Sequence, residues 1–447
     1  MEKTETLPPA ILVIFGITGD LAQRKLLPAI AQIDKHNQLP EEFKLLGISR
    51  RPVSADEVLS KSCKSLLSMT ELFQMNLEDH ADYHKLKLCL AELSKNFKKP
   101  PQIIFYFAVP PAAILPIIRR LGASGLNGEK TKLLLEKPFG VDYESAKELI
   151  AETDKHFKEE QAYRIDHYLA KEMAQNIAVF IGANALFRDI WNNRFISKIE
   201  IIASEQIGIE GRTGFYEQTG ALRDFVQSHL MQLTALVLMK PCPDVFDFSD
   251  VSRRRLAALS AVKPIQLGAD GQVLRGQYEG YQKEVGNPGS TIETFVALEL
   301  ESSDPTWTGV PIRLVTGKCL EQKFTEIRVH FKKTQAKEAN LLTFRIQPRE
   351  GIDVELWVKQ PGYEHELKKL PLSFSYEQYF GDSQPDAYEQ VLVDAMRGSQ
   401  NLFASSSEIL ASWKILNPVL HKWSMDNSDL ILYKPGSSYK QVLKSVS

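Results

Sequence analysis

The chain is 447 residues long, with 43% apolar and 25% charged residues and a formal net charge of −2. At roughly 150 residues per domain this length asks for two or three units. The composition excludes a disordered chain, and the near-balanced charge gives no general attraction to nucleic acid or to an anionic membrane.

Residues 10–15, AILVIF, read as a buried strand that is too short to cross a bilayer, and no later run approaches the ~20 apolar residues a span needs. Cys63, Cys89, Cys242 and Cys319 lie far apart without a CxxC pair, which argues against a disulfide framework or a zinc site. No metal is expected, and the chain reads as a reducing, cytoplasmic protein. After the first strand, helical periodicity runs through Leu21, Leu26, Leu27, Ile30 and Ile33. Further buried strands are expected at 43–49, at 103–109 before Pro110 and Pro111, at 132–136 before Pro138 and Gly140, and at 162–165. Short continuous apolar strands alternating with helices indicate a doubly wound parallel sheet of Rossmann type over residues 1–165.

Beyond that point, over 166–447, the pattern changes to a larger α+β domain. A helix is expected from about Gly220 to Met239. Runs at 198–205, 292–300, 325–331, 341–347 and 352–358 alternate at period two, as strands of a mainly antiparallel sheet do. Ser405 to Ser407 read as the cap of a helix containing Ile409 and Trp413.

Four stretches carry chemistry. VIFGITGDLA sets Gly16 and Gly19 between a strand and a helix, where glycine lets the backbone approach a pyrophosphate and the helix end offers free N–H groups. A plain strand–helix turn would also use them. The next strand ends in Ser49, Arg50 and Arg51, where an NAD site has an acidic residue; an arginine there pairs with a 2′-phosphate, which favours NADP. LLLEKPFG puts Glu136 and Lys137 at the carboxyl end of a buried strand, where open α/β sheets bind ligands; Pro138 allows a cis bond.

AYRIDHYLAK then gathers Arg164, Asp166, His167, Tyr168 and Lys171. If a helix starts at His167, then His167 and Lys171 share one face beside Tyr168, a grip for a phosphate monoester; a solvated helix face is the alternative. Asp166 either caps that helix or orients a histidine base. In GALRDFVQSHLMQL, His229 falls on the apolar face with Leu222, Val226, Leu233, Leu236 and Val237. That position suits a core histidine, and equally a general base for oxidising an alcohol. Asp224, five residues earlier, is not co-facial with His229 on an α-helix and is better placed to bind sugar hydroxyls.

Together GITGDLA, EKPFG, RIDHYLAKE, GALRDFVQSHLMQL, VPIRLVTGKCL and FRIQP resemble the glucose-6-phosphate dehydrogenase family, in the right order along most of the chain. The resemblance implies oxidation of C1 of glucose 6-phosphate to the 6-phosphogluconolactone. It makes His229 the base and Asp166 its orienting carboxylate, with His167, Tyr168 and Lys171 on the 6-phosphate. Lys137 would touch substrate and cofactor. Glu205 and Asp224 would bind sugar hydroxyls, and Lys318, Lys323 and Gln347 would contribute to the substrate site. Gly16, Thr18, Gly19, Asp20, Leu21 and Lys25 would surround the cofactor, NADP with NAD as a second possibility, and Arg50 would take the 2′-phosphate. A homodimer or homotetramer built through the antiparallel sheet is implied, with no nucleic-acid or membrane partner. Ala170 stands where the family has Gly, so that its methyl would crowd the helix turn or the phosphate, and Lys323 stands where an Arg is expected. Another Rossmann-type sugar oxidoreductase with an EKP lysine, or a nucleotide-sensing binding protein, would share parts of this pattern.

Overall fold

Short apolar runs flanked by turn formers build the first sheet of the computed structural model, which describes residues 6–445 apart from 243, 245–246, 266–272 and 382–383. Its strands are β1 (Ala10–Phe15), β2 (Phe43–Ser49), β3 (Thr70–Gln74), β4 (Gln102–Phe107), β5 (Thr131–Leu135) and β6 (Ala162–Ile165). All are mutually parallel, and every residue of β1 is buried, as in a strand covered on both faces. The order β6-β5-β4-β1-β2-β3 reverses direction between β1 and β4, which opens a crevice at their carboxyl ends.

The second sheet holds β7 (Ile196–Ser204), β8 (Val273–Tyr278), β9 (Phe295–Leu300), β10 (Ile312–Gly317), β11 (Phe324–Phe331), β12 (Leu341–Gln347), β13 (Gly351–Lys359) and β14 (Leu367–Ser375). Near the carboxyl end come β15 (Phe403–Ala404) and β16 (Leu430–Tyr433). The second sheet runs β14-β13-β12-β11-β7-β10-β9-β8-β16, antiparallel except at β7–β10 and β8–β16. The short β15 pairs antiparallel with β6, so the first sheet gains one strand from the far end of the chain.

Two compact units result. The first comprises the described residues through Gly140, Glu144–Ala170 and Pro385–Ser406; the second comprises Val141–Tyr143 and the described residues of 171–384 and 407–447. The single cut expected after residue 165 therefore falls after Ala170, and 385–406 returns to the first unit. That return is held by pairings of high sequence separation. Gln102 Nε2 donates to the Met396 carbonyl at 2.8 Å and Lys132 Nζ to the Ala395 carbonyl at 2.6 Å, while Val391, Leu392, Ala395 and Phe403 join the core around Leu12 and Ile14. In the second unit Phe295, Val315, Tyr278, Tyr281 and Tyr433 form a buried cluster. No helix of the described residues is long and apolar enough to cross a membrane.

Candidate active site

The turn after β1 is a glycine turn for a measurable reason. Gly16 has φ +81°, and a Cβ there would stand 2.4 Å from the Ala108 carbonyl oxygen at the exit of β4. A cleft of about 950 Å³ opens beside this approach. Gly16, Thr18, Gly19 and Arg50 line it, together with Ser49, Asn76, Ala112, Pro116 and Arg120. Asp20, Leu21 and Lys25 do not: Asp20 pairs with Arg24 at 2.7 Å on the surface, Leu21 packs against the core, and Lys25 is exposed. Gly16→Ala is expected to cost about 1–3 kcal/mol in backbone strain in addition to the overlap. Urea unfolding reads that loss, and calorimetry reads weaker dinucleotide binding.

The parallel pairing ends at Leu135↔Arg164, and Lys137 and Asp166 each follow two residues later, at the exits of β5 and β6. The Lys137–Pro138 bond is cis. Glu136 accepts the Tyr106 hydroxyl at 2.5 Å; burial pushes its carboxyl up, against that hydrogen bond and the Lys137 charge. Asp166 turns the chain by accepting the Tyr168 N–H at 2.9 Å.

The helix expected from His167 begins at Glu172 instead, with Lys171 in extended conformation just before it. His167 and Lys171 therefore do not share a helix face, and Asp166 is not that helix's cap. The cause is local: the Asp166 carboxylate captures a backbone N–H that a helix would use, and three successive residues, Tyr168, Leu169 and Ala170, are buried, which no single helix face allows. The Ala170 methyl sits in the first unit's core rather than crowding a helix turn. Lys171 belongs to the second unit, where its charge opposes the burial-driven rise of the Glu350 carboxyl.

The helix expected from Gly220 to Met239 is also broken. Gly220 has φ +61° and interrupts the helix Thr213–Ala221. A wide π-helix follows over Leu222–Leu230, then an α-helix over Met231–Leu238. In a π-helix the bonding is i→i+5, so residues five apart stack along one side. Asp224 and His229 are five apart, so the expectation that they are not co-facial fails. Both are buried, His229 to 1% exposure, and the Phe225 ring meets the imidazole edge-on at 5.2 Å.

Around this helix the second unit gathers charge. The parallel pairing Ser204↔Gly317 sets Glu205 beside Lys318, and the buried Lys318 Nζ bonds the Glu205 carboxylate. The same Nζ lies 5.3 Å from the centroid of the Tyr216 ring. Burial pushes the Tyr216 phenol well up, and the Asp224, Glu293 and Glu205 carboxylates push it further. Lys318 thus bonds Glu205 and lies over the Tyr216 ring, whose hydroxyl feels the Asp224 and Glu205 charges. Gln347 Nε2 donates to Thr325 Oγ1 at 3.1 Å, and Lys323 is exposed. Among the described residues no group of three or more His, Cys, Asp or Glu could hold a metal.

Sequence reasoning missed Arg120, Tyr106, Tyr216 and Glu293 as parts of these sites. Arg120 had a legible signal: Ala112, Pro116 and Arg120 recur at i, i+4 and i+8 along the helix Pro111–Ala123, and all three line the cleft. Tyr106 on β4, Tyr216 on the helix Thr213–Ala221 and Glu293 just before β9 are brought in by contacts between elements far apart in sequence, which leave no short-range spacing to read.

Known proteins place this geometry. The family model for "Glucose-6-phosphate dehydrogenase, NAD binding domain" matches residues 13–176 and that for the C-terminal domain matches 178–445. A glucose-6-phosphate 1-dehydrogenase of Chlamydia muridarum is 36% identical, covering 93% of this chain and 91% of that protein. One of Bacillus subtilis is 35% identical, covering 97% and 96%. A solved glucose-6-phosphate dehydrogenase in complex with its substrate glucose-6-phosphate superposes with a TM-score of 0.91 at 28% identity, covering 99% of this chain and 98% of that one. A levoglucosan dehydrogenase shares the fold alone, at 9% identity and a TM-score of 0.54. The motifs, the two sheets and these whole-length matches agree, and the chain belongs to the glucose-6-phosphate dehydrogenase family.

Proposed function

We propose that this chain oxidises D-glucose 6-phosphate at C1 to 6-phospho-D-glucono-1,5-lactone, with NADP as the hydride acceptor. The observation that carries this reading is the likeness, at 28% identity over 99% of the chain, to an enzyme solved with that substrate. His229 takes the C1 hydroxyl proton as hydride leaves C1; a histidine titrates near the working pH, which suits this transfer. Asp166 fixes the tautomer of His229 and stabilises the imidazolium. His167, Tyr168, Lys171 and Lys137 bind the phosphorylated sugar, and Glu205, Asp224, Lys318, Lys323 and Gln347 bind from the second unit. The block that prepares the phosphate grip separates this reading from other sugar oxidoreductases of the same fold.

The cleft fits a dinucleotide: it sits where the strand order reverses, and Gly16 leaves no room there for a Cβ. Bound NADP supplies the nicotinamide that receives the hydride. Gly16, Thr18 and Gly19 line the cofactor's path, with Asp20, Leu21 and Lys25 beyond them. Arg50 recognises the 2′-phosphate, supported by the absence of an acidic residue after β2 and by Arg120 as the second arginine of the cleft. NAD is the second cofactor the cleft could accept. A hydrogen bond to a charged group is worth about 1.5–3 kcal/mol, so Arg50→Gln should raise KM for NADP roughly 10- to 100-fold and leave KM for NAD nearly unchanged.

The enzyme works in the cytoplasm as a homodimer or homotetramer. In support of assembly, Leu370 and Leu372 on one face of the edge strand β14, with Leu356 paired opposite Leu370, leave an exposed apolar patch; light scattering reads the subunit count. Steady-state kinetics comparing glucose 6-phosphate with glucose, each with NADP and NAD, tests the whole reading. Equal use of free glucose would transfer the chain to the wider group of sugar oxidoreductases.

A further inference from the structure

The wide helix that carries Asp224 and His229 begins without a cap of its own. Its preceding residue, Ala221, offers no side-chain acceptor, and Gly220 before it is in the left-handed region at φ +61°. Unbonded N–H groups at a buried helix start need partners. They find them on one residue of another element. The Glu293 backbone carbonyl accepts the Ala221 N–H at 3.0 Å, and its carboxylate Oε1 accepts the Leu222 N–H at 2.9 Å. Glu293 is 3% exposed, and it stands two residues before β9.

The fit around this carboxylate is close. A Cβ on Gly220 would come within 2.3 Å of Glu293 Oε1, so glycine is required there both for the backbone angle and for the space. The segment leading to Glu293 is itself tied down. Glu217, in the helix before Gly220, accepts Tyr281 Oη at 2.7 Å, Ser290 Oγ at 2.7 Å and Asn287 Nδ2 at 2.9 Å. Gln277 Nε2 donates to the carbonyls of Ser290 and Ile292. Glu293 is thus a fixed point, and the helix start is referred to it. Asp224 lies two residues beyond Leu222, and the i→i+5 bonding carries the same placement on to His229. A carboxylate at a helix start also meets the positive end of the helix dipole.

We propose that Glu293 is a positioning residue of the hydride-transfer site: by capping Ala221 and Leu222 it sets the place and the wide register of the helix, and so where Asp224 and His229 stand. This rests on the reading of His229 as the base. Glu293 touches neither reactant in this role. Burial pushes its carboxyl up, while the Leu222 N–H and the charges of Arg223 and Arg275 hold it down; the neutral amide of Gln offers the same acceptor in nearly the same place.

The test compares the full-length wild type with Glu293→Ala and Glu293→Gln. A displacement of the order of 1 Å costs up to ~100-fold in rate, so Glu293→Ala should lose roughly 10- to 100-fold in kcat, with KM for NADP unchanged. Glu293→Gln should recover most of that loss. Histidine-selective NMR should show the His229 resonance moved in Glu293→Ala and restored in Glu293→Gln. Wild-type kcat in Glu293→Ala, a loss that tracks only the folded fraction, or a Glu293→Gln variant as impaired as Glu293→Ala would overturn the proposal. If Glu293→Ala does not fold, Glu293→Asp replaces it, since a shorter side chain withdraws the acceptor from Leu222; the same criteria apply. A wild type that turns over no glucose 6-phosphate defeats the functional reading alone. The His229 resonance still decides, because a position unchanged in every variant would refute the role of Glu293.

Discussion

His229→Asn is expected to lower kcat by ~10²–10⁴-fold, the usual contribution of a positioned proton acceptor, while the variant should fold and still bind sugar phosphate. The size follows from the chemistry. As C1 passes its hydride, the hydroxyl proton must leave in the same transition state, and an amide side chain cannot take it. The selectivity follows from the structure. His229 is 1% exposed within a helix that is buried along most of its length, and Asn keeps a polar group of smaller volume there without a new charge. The dinucleotide cleft belongs to the other unit, so the dissociation constant for NADP, read by calorimetry, should stay at the wild-type value. Turnover at saturating substrate and a primary isotope effect with C1-deuterated glucose 6-phosphate complete the test. If the variant keeps more than about a tenth of wild-type turnover, His229 is not the base.

What the sequence disclosed and what it concealed divide along physical lines. β1 and β2 were legible to the residue, since a strand buried on both faces must be continuously apolar and its ends are marked by turn formers. β14, with the sequence LKKLPLSFS, was not. It is an edge strand with a proline and two lysines, which protect an edge from pairing and at the same time hide the strand in the composition. The glycine turn and the strand-end positions of Arg50, Lys137 and Asp166 were visible because strand ends and their punctuation are local. The helix break at Gly220 was not: helical periodicity averages over a wide turn, and the partner that makes the break affordable, Glu293, is a distant residue reached through tertiary pairing. The turn at Asp166 was misread for the related reason that helix propensity says nothing of a side chain that captures its own backbone. Where one local contact overrides periodicity, the sequence pattern points to the right residues and the wrong backbone.

The largest expected effect on stability lies away from the reaction. Glu408 stands in the first turn of the helix Ser406–Met425, at the point where the chain re-enters the second unit, and it is 0% exposed. Its carboxylate accepts Arg255 Nε at 2.8 Å, Arg255 Nη2 at 3.4 Å and Ser252 Oγ at 3.2 Å, all from the helix Val251–Ala261. Arg255 is 1% exposed. Removing one partner of such a pair leaves a charge in a medium that cannot solvate it, and Glu408→Ala is expected to destabilise the second unit by ~3–5 kcal/mol. Replacing both, as Arg255→Met with Glu408→Leu, should cost far less, because the desolvation of both ions is then avoided. The measurement is clean here: all five tryptophans, Trp191, Trp307, Trp357, Trp413 and Trp423, lie in the second unit, so tryptophan fluorescence during urea unfolding reports on that unit. A single variant within about 1 kcal/mol of wild type, in the range of an exposed pair, would mean that water reaches the pair and that the contact does not hold the two helices together.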